Sequence, residues 1–198
     1  MKGKERYKQI LDCTLELAGE KPLAAIRTAE IARRANISEG ALFKYFNSKE
    51  EIFDGIIQRY LNTNHPLVNP ENITSESDFK DYINTYLESM IVANPQRKSY
   101  LRLLLQISMD QHSAAFQKYE KIKNGFHSIL NNRIEYGKVH WGYDKKIKSL
   151  IHVRLFHSSI LMLVIGQEVF GFDKYDNLDL AEIKNIAIKN FFILLKKR

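Results

Sequence analysis

The chain contains one cysteine in 198 residues, Cys13, so no disulfide can form within it. Such cysteine usage suits a reducing compartment, and a cytoplasmic location is expected. Cys13 lies among apolar residues at helical spacing, which favours a buried small side chain over a redox sensor. The N-terminus lacks the apolar core of a signal peptide. The most apolar run, residues 155–166, is too short to span a bilayer, so no membrane partner is expected.

Catalytic and metal-binding patterns are also missing from the sequence. There is no H-E-x-x-H, no G-x-S-x-G and no glycine-rich phosphate loop. The six histidines do not cluster with acidic or cysteine residues at the spacing of metal ligands on a helix. We therefore expect neither an enzyme nor a protein that binds a metal or a cofactor.

The composition is that of a globular protein, with 44% apolar and 27% charged residues. Its net charge of +7 is compatible with nucleic-acid binding. The excess is not concentrated near the N-terminus, because residues 1–60 hold 11 basic and 9 acidic residues, a balance of +2. Residues 61–198 hold 19 and 14, a balance of +5. Charge therefore permits a nucleic-acid partner without locating it.

Helical periodicity runs through almost the whole chain, and alternating β patterns do not stand out. Asp110, Asp144 and Asp179 are placed to cap helices, and Glu182 completes a capping box with Asp179. The sequence predicts an all-α fold of about nine helices, over residues 4–19, 28–35, 39–45, 49–63, 78–93, 96–108, 110–136, 144–170 and 179–197.

Residues 28–53 have the layout of a helix-turn-helix followed by a third helix. Thr28 is predicted to cap the first helix and Ser38 the second, with Asn36 and Ile37 forming the turn. The apolar residues are spaced to face one core, and they are Ile31, Ala35, Leu42 and Phe46. In such a unit the second helix enters the DNA major groove.

Glu39, Ala41 and Lys44 project from the helix face opposite Leu42 and Phe46, so they are the candidate base readers. Lys44 can donate to guanine, and the Ala41 methyl can meet a thymine methyl. Glu39 can accept from cytosine or simply complement the helix N-terminus, and the second interpretation is favoured. Gly40 removes a side chain where backbone could approach DNA.

The same segment resembles the signature of the TetR family of bacterial transcriptional regulators. The matching residues are Thr28, Ile31, Ala32, Ala35, Ile37, Ser38, Gly40, Leu42, Phe43, Tyr45, Phe46, Ser48, Lys49, Glu50 and Ile52. The resemblance covers about residues 5–60. It implies an N-terminal three-helix DNA-binding domain, residues 1–64, and a larger C-terminal helical domain for effector binding and dimerisation, residues 65–198.

The resemblance also implies contacts to the DNA backbone. Residues that match Thr28, Tyr45 and Lys49 contact phosphates in the family, and Ser38 is a further candidate. Phe43 could stack on a sugar edge or fill the core. The expected macromolecular partner is double-stranded DNA.

Family members typically dimerise through their last two helices. Here the segments 144–170 and 179–197 are apolar on more than one face, which favours a homodimer over burial within one protomer. The candidate interface residues are Ile160, Leu161, Val164, Phe191 and Phe192.

A small-molecule effector would bind among the preceding helices. Arg154 and His157 interrupt an apolar helix and could hold a polar or anionic ligand group, and His127 and His152 are weaker candidates. For each aromatic residue or histidine, a place in the core is the alternative. The candidate pocket residues are Tyr82, Tyr86, Met90, Tyr100, Phe116, Tyr119, Phe126, Arg154 and His157.

Two functional hypotheses follow. The first is a dimeric repressor that binds a pseudo-palindromic operator and is released by a small, largely apolar effector. The second is a DNA-bound interaction protein that recruits a protein partner and has no small-molecule effector. A closed pocket would favour the first, and a packed core with an exposed apolar patch would favour the second.

Overall fold

The computed structural model describes residues 3–63, 70–91, 95–176 and 178–196. These residues form helices and turns, and no β-strand occurs among them. The ten α-helices are α1 (Gly3–Glu20), α2 (Thr28–Arg34), α3 (Glu39–Leu42), α4 (Lys49–Thr63), α5 (Glu76–Ile91), α6 (Arg97–Met109), α7 (Ser113–Ile122), α8 (Ser128–His140), α9 (Ser149–Glu168) and α10 (Leu180–Leu195). A π turn, Lys123–His127, joins α7 to α8 without a break. Counting α7 and α8 as one, the described residues contain the nine predicted helices.

The contacts divide the chain into two compact units. The first unit contains residues 1–63 and 93–119, and the second contains residues 64–92 and 120–198. The first unit is therefore larger than the predicted helix-turn-helix domain, since it includes α6 and most of α7. The predicted boundary between residues 64 and 65 falls outside the described residues, and the functional division there stays a prediction.

Helix α1 is the central element of the first unit. Its apolar stripe, which includes Ile10, Leu11 and Leu17, is almost completely buried against the other helices of this unit. Gly19 allows α6 to approach closely, because a Cβ at this position would lie 2.1 Å from the Ser99 Oγ. Cys13 is half-buried beside this core, and burial raises the pKa of its thiol. The predicted small core side chain is thus only partly covered.

Two of the predicted aspartate caps are wrong. Asp110 ends α6 instead of starting a helix, because Gln111 adopts a left-handed φ of 53° and the amides of Gln111 and His112 close the helix end. Asp144 does not start α9, which begins at Ser149. Its amide donates to the Leu195 carbonyl at 2.8 Å, and its carboxylate accepts from the Lys146 amide. The predicted Asp179 cap is confirmed, since its carboxylate accepts from the Ala181 amide at 2.8 Å.

The second unit is built around α5, α8, α9 and α10. Its core includes Phe79, Leu130, Val153 and Phe191, all of which are at most 2% exposed. The ring of Tyr143 packs directly on the backbone of Gly137, where a Cβ would lie 2.4 Å from the ring.

The π turn brings two consecutive side chains, Phe126 and His127, into this core. Burial lowers the pKa of His127, and the positive charge of Arg154 lowers it further. Burial also lowers the pKa of the half-buried His152, although its hydrogen bond with the Phe191 carbonyl opposes this effect. Both histidines therefore prefer the neutral form in the folded protein.

The turn between α2 and α3 gives a first prediction. Asn36 has a left-handed φ of 53°, and the amides of Asn36 and Ile37 close the end of α2 on the carbonyls of Arg33 and Ala32. Asn36→Ala should lower the free energy of unfolding by about 1 kcal/mol, because alanine tolerates this conformation poorly. Asn36→Gly should stay within about 0.5 kcal/mol of wild type. Urea unfolding measures both, and equal stability of the two variants would contradict the backbone argument.

The lowered pKa values of His127 and His152 predict that the second unit loses stability in mild acid. An unfolded histidine has a pKa near about 6.5 and binds a proton that the folded site disfavours. Stability should therefore be full above about pH 6.5 and fall as the pH drops below it. The fluorescence of Trp141, the only tryptophan, reports the unfolding of this unit. The double variant His127→Gln/His152→Gln should show a weaker dependence, and a melting temperature unchanged between about pH 7.5 and pH 5.5 would contradict the prediction.

Candidate DNA interface and effector site

The helix pair α2–α3 is held from beneath by a small apolar core. Ile31, Ala35 and Leu42 are at most 1% exposed, and Phe46 is 2% exposed. The Ser38 hydroxyl accepts from the Ala41 amide at 3.1 Å, which confirms the predicted cap of α3. The packing of these residues turns the opposite face of α3 towards solvent.

The candidate base readers lie on that opposite face. Glu39, Gly40 and Lys44 are exposed, and Ala41 is half-buried. Helix α3 ends at Leu42, although the sequence predicts a helix to residue 45. The amides of Lys44 and Tyr45 bond three residues back, to the carbonyls of Ala41 and Leu42, so the chain tightens into a turn before α4 begins. Lys44 therefore projects from the end of the recognition helix.

Thr28 does not cap α2, which corrects the prediction. The residue before the helix is Arg27, which makes no side-chain capping bond, and Thr28 is itself the first helical residue. The Thr28 hydroxyl instead donates to the Glu39 carboxylate. This bond links the start of α2 to the start of α3 and joins a candidate phosphate contact to a candidate base reader.

Lys49 begins α4, and its ammonium group reaches back across the unit. The Nζ atom donates to the carbonyl oxygens of Leu23, at 3.1 Å, and Ile26, at 3.2 Å. These contacts tie the start of α4 to the turn that precedes α2. An ammonium group has three N–H donors, so two carbonyl contacts leave one donor for a phosphate oxygen. The phosphate contact itself stays a prediction.

The two aromatic candidates differ in exposure. Phe43 is 48% exposed, so it does not fill the core, and the alternative of a surface contact is left for it. Tyr45 is half-buried and packs against the apolar core of the first unit. Among the nearby arginines, Arg34 forms an ion pair with Glu20 at 2.6 Å, whereas Arg27 and Arg33 lie at the surface.

Four of the nine candidate effector residues come together in the second unit. The rings of Tyr86 and Phe126 stack with their centroids 3.5 Å apart, and Tyr82 lies against Phe126 at 6.1 Å. His157 approaches Tyr86, with its Nε2 atom 3.4 Å from the tyrosine hydroxyl. The pKa of Tyr82 is raised to about 12 by burial, and burial raises the pKa of Tyr86 still further.

The other candidates do not form part of this cluster. Tyr100 stacks on Tyr60 at 3.8 Å within the first unit, and Phe116 and Tyr119 are exposed side chains of that unit. Met90 is half-buried on α5, and Arg154 is exposed on α9. For Tyr100 the structure therefore favours the core alternative.

His127, a weaker candidate for a ligand contact in the sequence, also belongs to this cluster. Its Nε2 atom lies 2.9 Å from the Nδ1 atom of His157, and its ring is 7% exposed. The residue follows Phe126 directly, and both side chains are buried at the end of the π turn. The sequence contains no signal that predicts the π turn itself.

Three of the five candidate dimer residues face the protomer's own core. Ile160, Val164 and Phe191 are at most 2% exposed, so they cannot form the surface of a seam. Leu161 and Phe192 are half-buried. The apolar side chains that are exposed on α9 and α10 are not the predicted interface residues. They include Leu150, Ile151, Leu155, Met162, Leu163, Ile186, Ile193 and Leu194.

Helix α9 also has the length and composition of a membrane-spanning segment. It has 20 residues, and its most apolar stretch has a mean hydropathy of 1.6. Of this stretch, 44% is buried inside the protein. Residues 155–166 alone are too short to span a bilayer. The whole helix α9 is long enough, because it extends beyond these residues. Buried core helices of globular proteins have the same properties.

The described residues contain no cluster of three potential metal ligands.

The chain is similar to known bacterial regulators. Residues 10–56 match the family described as "Bacterial regulatory proteins, tetR family". The HTH-type transcriptional regulator SrpR of Pseudomonas putida is 23% identical over 207 residues, which covers 98% of this chain and 87% of SrpR. The nucleoid occlusion factor SlmA of Haemophilus ducreyi is 37% identical over 57 residues, 28% of each chain.

The fold has a matching solved structure. NalD of Pseudomonas aeruginosa, the secondary repressor of the MexAB-OprM multidrug efflux pump, superposes with a TM-score of 0.71, covers 99% of both chains and is 18% identical. These relatives are regulators and not enzymes, and the matched region contains the helix pair α2–α3. The chain therefore resembles transcriptional regulators of the TetR family, in its sequence over residues 10–56 and in its fold over nearly its whole length.

Proposed function

We propose that this regulator is a cytoplasmic repressor that binds a pseudo-palindromic operator as a homodimer and is released by a small, largely apolar effector. The observation that carries the DNA part is the exposed face of α3. Glu39, Gly40 and Lys44 are exposed there, while Leu42 beneath them is 1% exposed. A surface of this kind presents side chains to base edges without disturbing the core.

The exposed aliphatic face of α9 and α10 supports the homodimer. Leu155 is 67% exposed, and Ile151, Met162 and Ile193 are each more than half exposed. Burying one such side chain contributes about 1.5–3 kcal/mol, so a protomer that leaves them in water gains by pairing. Two reading helices in one dimer would then meet successive major grooves roughly 34–36 Å apart.

The aromatic and histidine cluster of the second unit supports the effector. Tyr86, Phe126 and His157 are buried together beside a π turn, a helical irregularity that is frequent at functional sites. An effector changes the affinity for DNA only by the difference between its own affinities for the two conformations.

The second candidate function is recruitment of a protein partner by a DNA-bound regulator. An exposed apolar patch on the second unit favours it, because Phe170, Phe172 and Leu178 are 43–50% exposed and Tyr175 is 87% exposed. Together with Met162 and Leu163, three of them line an open cleft of about 680 Å³. The relative SlmA is a nucleoid occlusion factor, although the similarity covers only 57 residues. Release of operator DNA by a small molecule in a purified system would favour the first function.

Lys44 and Lys49 should affect DNA binding differently. Lys44→Ala should reduce discrimination between operator and random duplex by about 1–3 kcal/mol, because it removes a donor to a base edge. Lys49→Ala should weaken both duplexes alike and lower the salt slope by about one. Fluorescence anisotropy with an operator obtained by genomic selection measures both effects.

The exposed Lys174 in the loop before α10 provides the matched control, and Lys174→Ala should leave both affinities unchanged. Because Lys49 also binds two carbonyl oxygens, its variant must be compared with wild type by thermal unfolding. An equal loss on operator and random DNA for Lys44→Ala would rule out base reading by this residue.

A substitution that introduces a charge tests the proposed dimer face. Leu155→Glu should convert the dimer to a monomer, because a carboxylate buried in an apolar seam is strongly unfavourable. Val139→Glu is the control, since Val139 is 73% exposed on α8 and lies outside the proposed face. Sedimentation velocity at micromolar concentration distinguishes the two states. A monomeric wild type, or a dimeric Leu155→Glu variant, would contradict the proposed interface.

A further inference from the structure

The second unit contains a buried chain of hydrogen-bonding groups that ends at one atom. The hydroxyl of Tyr86 lies 3.4 Å from the Nε2 of His157, and the Nδ1 of His157 lies 2.9 Å from the Nε2 of His127. All three residues are at most 7% exposed. The chain ends at the Nδ1 of His127, which is buried and has no hydrogen-bond partner among the residues that the structure describes.

A buried polar atom without a partner is costly, and it requires an explanation. Tyr86 can donate its hydroxyl proton to His157, which then donates from Nδ1 to His127. With this direction of the chain, the neutral ring of His127 carries its proton on Nδ1. The unpartnered atom is then an N–H donor that a ligand can satisfy.

The charge near His127 indicates which ligand group suits this donor. Arg154 precedes His157 by one turn of α9, and its positive charge lowers the pKa of His127. A positive field next to an N–H donor favours an anionic acceptor. A neutral or cationic head group would gain less at the same place.

The surroundings of the donor are apolar and aromatic. Phe126 is 2% exposed and lies between Tyr82 and Tyr86, with ring centroids 6.1 Å and 3.5 Å away. Such rings accept an aliphatic or aromatic body better than a polar one. The site therefore combines one hydrogen-bond donor, one nearby positive charge and an apolar wall.

We propose that the effector is a small monocarboxylic acid with an apolar body, whose carboxylate accepts a hydrogen bond from His127 Nδ1 within the positive field of Arg154. The apolar body packs against Tyr82, Tyr86 and Phe126. This inference rests on the proposed function in that the second unit binds an effector, and it adds the chemical class and the anchoring residue.

Because the donor is buried, a ligand reaches it only after a local movement, which we assign to the π turn. The Nδ1 atom is buried, and His127 is the last residue of the turn Lys123–His127. Gly125 lies in the middle of this turn, and a Cβ there would contact nothing within 4 Å. The acid would therefore select a conformation in which this turn has moved, which is the differential affinity that regulation requires.

Direct binding of two acids to the full chain tests the proposal. Decanoate and 2-naphthylacetate serve as an aliphatic and an aromatic probe, and decanamide and 2-naphthylacetamide are the uncharged controls. Isothermal titration calorimetry should show that at least one acid binds about tenfold or more tighter than its amide, as expected for a hydrogen bond to a charged group. Absence of binding by both acids, or equal binding of acids and amides, would overturn the proposal.

Two substitutions separate the nitrogen atoms of His127. The amide of His127→Asn reaches the position of Nδ1, and the amide of His127→Gln reaches that of Nε2. His127→Gln should keep the bond to His157 and weaken the acid by about tenfold or more, whereas His127→Asn should weaken it less. Arg154→Gln should weaken the acids and leave the amides unchanged. Acid binding that is the same for wild type and His127→Gln would overturn the assignment.

Nitrogen-15 spectra of wild-type protein labelled at histidine keep the test independent of whether the variants fold. Addition of the bound acid should shift the Nδ1 resonance of His127 and keep it protonated, and an unchanged resonance would exclude the contact. Operator affinity is measured without any acid. If the chain binds its operator and another class of molecule releases it while both acids fail, the carboxylate site is wrong and the proposed function stands.

Discussion

The exposed face of α3 depends on the burial of one apolar stripe on α1. Ile10 and Leu17 are fully buried, and Gly19 lets α6 approach the end of the helix. The same core receives Ile31 and Leu42, so burial of α1 also fixes the pair α2–α3. Close-packed cores of this kind resist small displacements, and the exposed residues of α3 inherit their positions from it. The positions of the candidate base readers are therefore set by residues of the core.

The second unit is organised by a different constraint. Its core contains polar groups, and burial of such a group without a partner is costly. Lys184 is buried and pairs with Glu88, and His157 bonds to both Tyr86 and His127. These directional contacts restrict how α5, α8, α9 and α10 can pack. Replacing one partner in such a core changes the balance for the others.

Much of the fold could be predicted, because apolar spacing and capping residues act locally. The Ser38 and Asp179 caps and the start of α4 follow from a few adjacent residues. Asp110 and Asp144 misled the prediction since short acidic side chains suit turns as well as helix starts. The partner of Thr28 could not be predicted, because Glu39 comes beside it only through the packing of α2 on α3. Burial of Ile160 and Val164 depends on which face of α9 its neighbours cover, and an all-round apolar helix does not reveal that face.

The bond between Thr28 and Glu39 has a consequence for discrimination. In the free protein the Thr28 hydroxyl donates its proton to the Glu39 carboxylate. A DNA phosphate that accepts from the Thr28 hydroxyl must first displace this bond, because the hydroxyl has one proton, and the penalty is then the same for every sequence. If Glu39 reads a base, only a duplex that offers its carboxylate a donor repays this penalty, whereas other duplexes place phosphate charge near the carboxylate. An internal contact that weakens all binding would thus increase the difference in affinity between the operator and other DNA.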